Sequence, residues 1–200
     1  MNDVISPEVL LNAYCEGFFP MADSVNGDIN WYQPKKRSVF ILKDLKLPRS
    51  VNQIKNKNIF KITFDKSFEK IIRSCAKRDE TWISEKIIKT YCEMFELGFG
   101  HSVEAWKNGV IAGGLYGISI GGAFFGESMF SNFSGASKIA LASLIKKLKS
   151  QDYDFIDAQY MTTHLKMLGA IEISNAEYLN ILKITIKKDC KFYDKNNNTN

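Results

Sequence analysis

Apolar positions along the chain alternate between two periods. Val9, Leu10, Ala13 and Tyr14 fall at helical spacing behind Ser6 and Pro7, a pair that suits an N-cap and a first helical position. Gly17 ends this predicted helix, and Phe18-Phe19-Pro20-Met21 reads as a compact apolar turn. The polar stretch from Ser24 to Asn30 reads as a loop. Trp31-Tyr32-Gln33-Pro34 reads as extended, because a residue before proline is pushed out of the helical region. Ser38 to Leu42 is strand-like, and Phe60-Lys61-Ile62-Thr63-Phe64 alternates with period two, which predicts a strand. The helical period returns behind Asp65, with Phe68, Ile71, Ile72 and Cys75 on one face. It returns again behind Ser84, with Ile87, Ile88, Tyr91 and Phe95, until Gly98.

Ser102–Trp106, Val110–Ile120 and Ala123–Phe130 are apolar runs joined by Asn108-Gly109 and Gly121-Gly122. Asn-Gly between two such runs is a strong hairpin signal, so a three-stranded antiparallel meander is expected. Ser134 is expected to cap a long helix over 135–149. A strand over 154–160, a short helix over 162–168 stopped by Gly169, and a last helix behind the capping-box pair Ser174 and Glu177 complete the reading. A meander followed by helix, strand and helix predicts an α+β chain with a mixed α/β sheet. The basic cluster Lys35-Lys36-Arg37 marks a boundary. Residues 1–36 are expected to form a small N-terminal domain and 37–190 the larger one. Residues 191–200, ending in a polar Asn-rich run, are expected to form a disordered tail.

Composition adds bounds rather than chemistry. The 200 residues are 45% hydrophobic and 24% charged, enough apolar material for a core, and no run approaches a membrane span. The amino end lacks the basic and apolar regions of a signal peptide. The net charge of +5 fits a polyanionic partner without requiring one. Cys15, Cys75, Cys92 and Cys190 are scattered, which suits a reducing cytoplasm and neither a zinc knuckle nor a redox pair. No nucleophile elbow, phosphate loop or HExxH is present, so no cofactor or metal is expected.

Two segments invite chemistry. In Gly121–Phe130, Gly126 allows close approach to the backbone, and Glu127 interrupts an apolar strand. In Phe155–Tyr160, Asp157 and Gln159 lie two apart and share a strand face, opposite Ile156 and Ala158. Patterning alone leaves this pair as either a reactive site or a wet strand face.

Several ordered segments carry a resemblance. They are Ala13–Met21, Thr81-Trp82-Ile83, His101–Trp106, Gly113–Gly117, Gly126–Ser131, Ala136-Ser137-Lys138, Asp157-Ala158-Gln159 and His164-Leu165 with Leu168-Gly169-Ala170. In these the chain resembles the leucyl/phenylalanyl-tRNA–protein transferase family from about Pro7 to Leu182. The resemblance implies a small N-terminal domain on a larger GNAT-like acyltransferase domain. It implies transfer of leucine or phenylalanine, with methionine a further donor, from aminoacyl-tRNA to proteins with N-terminal lysine or arginine. That transfer marks the acceptor for regulated degradation as an N-degron, in the cytoplasm, with no DNA or membrane partner.

By the same resemblance, Asp157 and Gln159 match the reaction centre. Tyr14, Trp82, Tyr91, Leu115, Phe124, Gly126, Glu127 and Met129 match substrate-pocket positions. An aminoacyl ester is already activated, so the enzyme needs chiefly to orient the attacking amine. Gln159 is expected to accept a hydrogen bond from that amine, while Asp157 polarises the arrangement or takes the proton. Glu127 is a candidate reader of the acceptor's cationic side chain. Lys35, Lys36 and Arg37 beside Trp31 and Tyr32 are expected to meet tRNA phosphates and unpaired bases, with Lys146, Lys147 and Lys149 as further phosphate candidates.

The chain departs from the family at three places. Met21 replaces a tryptophan found in some members, Ala158 replaces a frequent cysteine, and Ser174-Asn175-Ala176 lacks a common arginine. The alternatives are an ordinary GNAT enzyme using acyl-CoA and a non-catalytic binding module. Phe130–Ala136 lacks the pyrophosphate-loop spacing the first would need, and the second leaves Asp157 and Gln159 without a role.

Overall fold

A computed structural model describes residues 5–22, 28–77 and 81–193. Helix α1 (Pro7–Cys15) starts as expected, with the Ser6 hydroxyl accepting from the Val9 N–H, and Gly17 follows it with φ +84°. The apolar turn predicted next is instead a strand, β1 (Phe19–Ala22). It pairs antiparallel with β2 (Ile29–Tyr32), and Phe19 stacks on Tyr32 across the ribbon as a cross-strand pair. Part of the polar loop predicted at 24–30 lies outside the described residues.

Next come β3 (Lys36–Ile41), α2 (Arg49–Asn56), β4 (Lys61–Phe64), α3 (Phe68–Ala76) and α4 (Glu85–Glu96). Sequence periodicity misses α2, whose only inward residues are Val51 and Ile54. Ser84 caps α4 as expected. Asp65 does not cap α3. It adopts φ +57°, binds the Ser102 N–H at 2.6 Å and the His101 ring at 2.8 Å, and leaves Ser67 in the N-cap position.

The predicted meander is β5 (Gly100–Lys107), β6 (Val110–Ile120) and β7 (Ala123–Ser131). Helix α5 (Ala136–Ser150) is preceded by Gly135 at φ +86°, where Ser134 was expected to cap. A side chain at Gly135 would press on Ile54. Strand β8 (Phe155–Gln159), α6 (Thr163–Met167), β9 (Ile171–Ser174) and α7 (Asn175–Thr185) follow, and the Ser174/Glu177 capping box is formed.

One seven-stranded sheet has the order β4-β5-β6-β7-β8-β3-β9, with every pair antiparallel except β7 and β8. Alternate side chains enter two cores on its opposite faces. Phe40, Leu115, Phe124 and Ile156 join α2 and α5, while Val39, Tyr116, Phe125 and Phe155 join α1, α3, α4 and α7. This mixed α/β layering agrees with the sequence reading. The expected tail is corrected at its start. Phe192 is buried, stacks on His101 at 3.8 Å and packs beside Phe64 and Phe124, so the chain stays anchored through Tyr193. Residues 194–200 lie outside the described residues. No helix among the described residues is long and apolar enough to cross a membrane.

Candidate active site

The sheet opens at its one parallel pair. β7 and β8 are paired at Ala123/Phe155, Phe124/Ile156 and Phe125/Asp157, and the pairing then stops. Beyond it the strands part around a cavity of about 260 Å³. Ligand sites commonly form outside the carboxyl ends of parallel strands, where the ladder no longer closes the gap. Phe40, Leu115, Met129, Leu141, Leu144 and Ile156 give the cavity an apolar wall, and Glu127, Gln159, Tyr160, Thr162 and His164 give it polar groups.

Two β-bulges aim the polar groups. Gly117 pairs with Gly126 and Tyr116 with Ser128, so Glu127 is the extra residue of β7. Val39 pairs with Asp157 and Ser38 with Gln159, so Ala158 is the extra residue of β8. Such insertions bend a strand and redirect side chains. Gln159 also adopts φ +60°, a region few non-glycine residues visit, and its own N–H donates to Asp157 Oδ1 at 2.9 Å. Asp157 thus fixes the backbone that presents Gln159.

Glu127 is buried between three donors. Tyr14 Oη lies 2.7 Å from its Oε1, Tyr91 Oη 2.9 Å from its Oε2, and Gln159 Nε2 donates to Oε1 at 3.0 Å. Burial pushes the carboxyl up to about 7, against the pull of Tyr14 and Tyr91, and Asp157 adds to the rise. Burial also holds both phenols well above their ordinary value. With its amide nitrogen turned to Glu127, Gln159 keeps Oε1 free of donors among the described residues.

Arg37 corrects the expectation of an RNA-facing basic triplet. It is 0% exposed. Its Nε donates to both Asp157 oxygens at 2.9 and 3.0 Å, its Nη2 to Asp157 Oδ2 at 2.6 Å, and its Nη1 to the Gly17 carbonyl at 3.1 Å. The guanidinium lies 4.5 Å from the Phe19 ring centroid and 4.6 Å from that of Tyr178, whose hydroxyl also donates to Asp157. Burial works against the Arg37 charge, and Asp157 more than offsets it, so the guanidinium stays charged. Asp157 is equally buried, between Arg37 and Tyr178, and its Oδ1 accepts from the Gln159 N–H.

The other expected site residues divide. Leu115, Gly126, Glu127 and Met129 line the cavity, and Tyr14 and Tyr91 reach it through Glu127. Phe124 does not line it. This fully buried ring belongs to the α5-side core. Trp82 packs on the opposite core, away from the cavity lining. Trp31, Lys35 and Lys36 are exposed near the β1–β2 ribbon. Lys147 is committed to the faces of Phe64, Phe192 and Tyr193 at 5.0, 4.8 and 4.3 Å, whereas Lys146 and Lys149 are exposed. Glu127 is engaged by all three donors and still lines the cavity.

Sequence reasoning missed Tyr178 and the structural role of Arg37. One available signal was parity, since Arg37 shares its strand face with the core residue Val39. His164 also lines the cavity, and burial and the Lys138 charge hold its imidazole below the ordinary value. Among the described residues no group of three or more His, Cys, Asp or Glu side chains is placed to hold a metal.

The comparisons agree with this architecture. A model of the leucyl/phenylalanyl-tRNA protein transferase family matches residues 39–183, and one of its N-terminal domain matches residues 3–35. The leucyl/phenylalanyl-tRNA–protein transferase of Chlorobaculum tepidum is 47% identical over 193 residues, covering 94% of this chain and 100% of that one. Its counterpart from Gloeobacter violaceus is 43% identical over 188 residues, covering 94% and 97%.

Among solved structures, a conserved protein of unknown function from Bacteroides thetaiotaomicron shares the fold at TM-score 0.50 and 14% identity. That match covers 94% of this chain and 65% of that one. A GCN5-related N-acetyltransferase-like protein from Streptococcus suis matches more loosely, at TM-score 0.39 and 15% identity over 84% of this chain and 64% of that one. The matched sequence spans both the β1–β2 ribbon and the strands around the cavity, and the chain belongs to the leucyl/phenylalanyl-tRNA–protein transferase family, a family of aminoacyltransferases.

Proposed function

We propose that the chain moves leucine or phenylalanine from aminoacyl-tRNA to the N-terminal lysine or arginine of acceptor proteins in the cytoplasm, marking them for regulated degradation. The carrying observation is the apolar cavity at the β7/β8 parting, with the free Gln159 Oε1 beside it. Leu115, Met129, Leu141, Leu144 and Ile156 offer an unbranched-Cβ side chain apolar burial worth roughly 1.5–3 kcal/mol. Gln159 Oε1 accepts a hydrogen bond from the acceptor α-amine and orients its lone pair toward the ester carbonyl. Asp157, held by Arg37 and Tyr178, keeps Gln159 in that pose through its backbone N–H. Exposed Lys35 and Lys36 meet acceptor-stem phosphates, and Trp31 offers a stacking face to the unpaired 3′ bases. The N-terminal residues through 36 form the small domain of this arrangement.

The test supplies radiolabelled Phe-tRNA or Leu-tRNA and peptides that begin with Lys, Arg or Asp. Label is expected in the first two peptides and absent from the third. Gln159→Ala is expected to lower the single-turnover rate by about 10²-fold or more, the lower range for loss of a positioned proton-handling partner. No labelled peptide with either donor overturns the reading.

A further inference from the structure

The short contacts among Tyr14, Tyr91 and Glu127 contain more oxygens in hydrogen-bonding range than the phenols have hydrogens. Tyr14 Oη and Tyr91 Oη are 2.6 Å apart, Tyr14 Oη is 2.7 Å from Glu127 Oε1, and Tyr91 Oη is 2.9 Å from Glu127 Oε2. These three contacts close a ring, and each is at a hydrogen-bonded O···O distance. A phenol carries one hydrogen, so the two tyrosines supply two hydrogens for three contacts. With Glu127 ionised and both phenols turned to it, the 2.6 Å contact between the phenols holds no hydrogen. With Glu127 protonated, Oε2–H donates to Tyr91, Tyr91 to Tyr14, and Tyr14 to Oε1. Every contact is then filled, and the Gln159 Nε2 bond to Oε1 is retained.

We propose that the Tyr14–Tyr91–Glu127 ring is the proton acceptor of the transfer reaction, with Glu127 taking a proton from the acceptor α-ammonium and the ring closing around it. This rests on the transferase reading above. Glu127 lines the cavity beside Gln159, so one amine can reach Gln159 Oε1 with one hydrogen and Glu127 with another. An N–H bond of the ammonium breaks and an O–H bond forms on Glu127. The freed nitrogen lone pair attacks the ester carbonyl carbon. The surplus proton of the resulting adduct leaves with the ribose oxygen as the C–O bond breaks, and Glu127 later returns its proton to water. Amide, free tRNA and one proton balance the ammonium and ester.

The groups facing Glu127 are compatible with this role. Tyr14 from α1 and Tyr91 from α4 stay protonated at neutral pH, and Gln159 from β8 is neutral. Asp157 of β8 pushes Glu127 toward its protonated form, while Arg37 of β3, which also senses Glu127, is committed to Asp157. The resulting value of about 7 lies just below an ordinary α-amine, near 7.7–8.0, so the proton moves across a small gap.

Glu127→Gln tests the ring, because a glutamine amide sets a donor N–H toward Tyr91 and an acceptor oxygen toward Tyr14, as the protonated carboxyl does, without accepting a proton. Single-turnover transfer to a Lys-started peptide is measured from pH 5.5 to 9 at saturating Phe-tRNA. The variant is expected to fold, to lose about 10²–10⁴-fold in rate, and to lose the rate limb centred near pH 7 while keeping the limb of the amine itself. Infrared difference spectra without substrate are expected to show a protonated-carboxyl C=O band that fades as pH rises through 7 in the wild type and is absent from the variant. A variant with wild-type rate and both limbs overturns the proposal. So does a variant whose saturating rate is normal and whose acceptor KM alone rises, which makes Glu127 a reader of acceptor charge. An inactive wild type that still shows the carboxyl band defeats the transferase reading and leaves the ring's protonation standing.

Discussion

Arg37 and Asp157 meet in full burial, with Nη2 2.6 Å from Oδ2 and the guanidinium between the rings of Phe19 and Tyr178. The pair ties the β1–β2 ribbon, the sheet and α7 to one point. Asp157→Asn keeps the shape but leaves a buried cation without its countercharge, which costs about 3–5 kcal/mol. Urea unfolding at pH 7 is expected to show that loss, and Arg37→Met is expected to show one of similar size. The double variant should lose less than the sum, because the two residues share one interaction. An Asp157→Asn protein of normal stability whose turnover alone is lost makes Asp157 a proton carrier instead.

Glu127 makes stability depend on pH in the direction opposite to a salt-bridged carboxylate. Its native value, raised to about 7 from 4.5, means the folded chain binds a proton that the unfolded chain has released between those limits. The contribution is full below about pH 4.5 and is lost as pH rises through 7. It amounts to about 3 kcal/mol at roughly 1.4 kcal/mol per unit. The stability difference between wild type and Glu127→Gln, followed by urea titration at pH 5 and pH 8, is expected to move toward the variant by most of that amount. A pH-independent difference contradicts it.

Phe124 and Met129 lie on the same strand and are expected to respond differently to truncation. Phe124 is fully buried against the α5-side core, so Phe124→Ala is expected to cost about 3–5 kcal/mol of stability. Met129 lines the cavity and is half-buried, so Met129→Ala is expected to cost less than about 2 kcal/mol. Its main effect is expected on the donor, with roughly a tenfold rise in KM for Leu-tRNA, equivalent to about 1.4 kcal/mol. Unchanged donor kinetics in Met129→Ala exclude its wall from the donor pocket.

Lys35→Ala with Lys36→Ala is expected to weaken aminoacyl-tRNA binding and to flatten its dependence on salt. Each lost phosphate contact lowers the log–log slope by about 0.7–0.9. Arg37 is left unchanged because its charge is spent inside the protein. Filter binding between 50 and 200 mM salt gives the slopes, and identical slopes place the tRNA surface elsewhere.

The elements with strong local signals were legible in sequence. The Asn108-Gly109 hairpin, the long helix and the Ser174/Glu177 box all formed as patterned. β1 was not legible, since Phe-Pro is ordinary turn chemistry and the segment becomes a strand only by pairing with β2, where Phe19 stacks on Tyr32. β9 is a short, largely exposed edge strand, and the alternation of Ile171-Glu172-Ile173-Ser174 is too brief to stand out in sequence. At the site, the parity rule placed Asp157 and Gln159 together but gave no sign of the bulges at Glu127 and Ala158. Those depend on how two strands count against their neighbours, information that neither strand contains alone. The burial of Arg37 was hidden for a related reason: its partners Asp157 and Tyr178 are brought to it only by tertiary folding.

The parting of β7 and β8 has a consequence for how such a cavity changes over generations. Its width is set where no backbone ladder exists, so a wall residue can grow or shrink without breaking a sheet hydrogen bond. The antiparallel partners β6 and β3 hold the outer edges of the two strands, and they keep the frame while the gap varies. On the proposed function, selection can therefore retune donor choice through the half-buried Met129 while the backbone ladders that hold the fold are inherited intact.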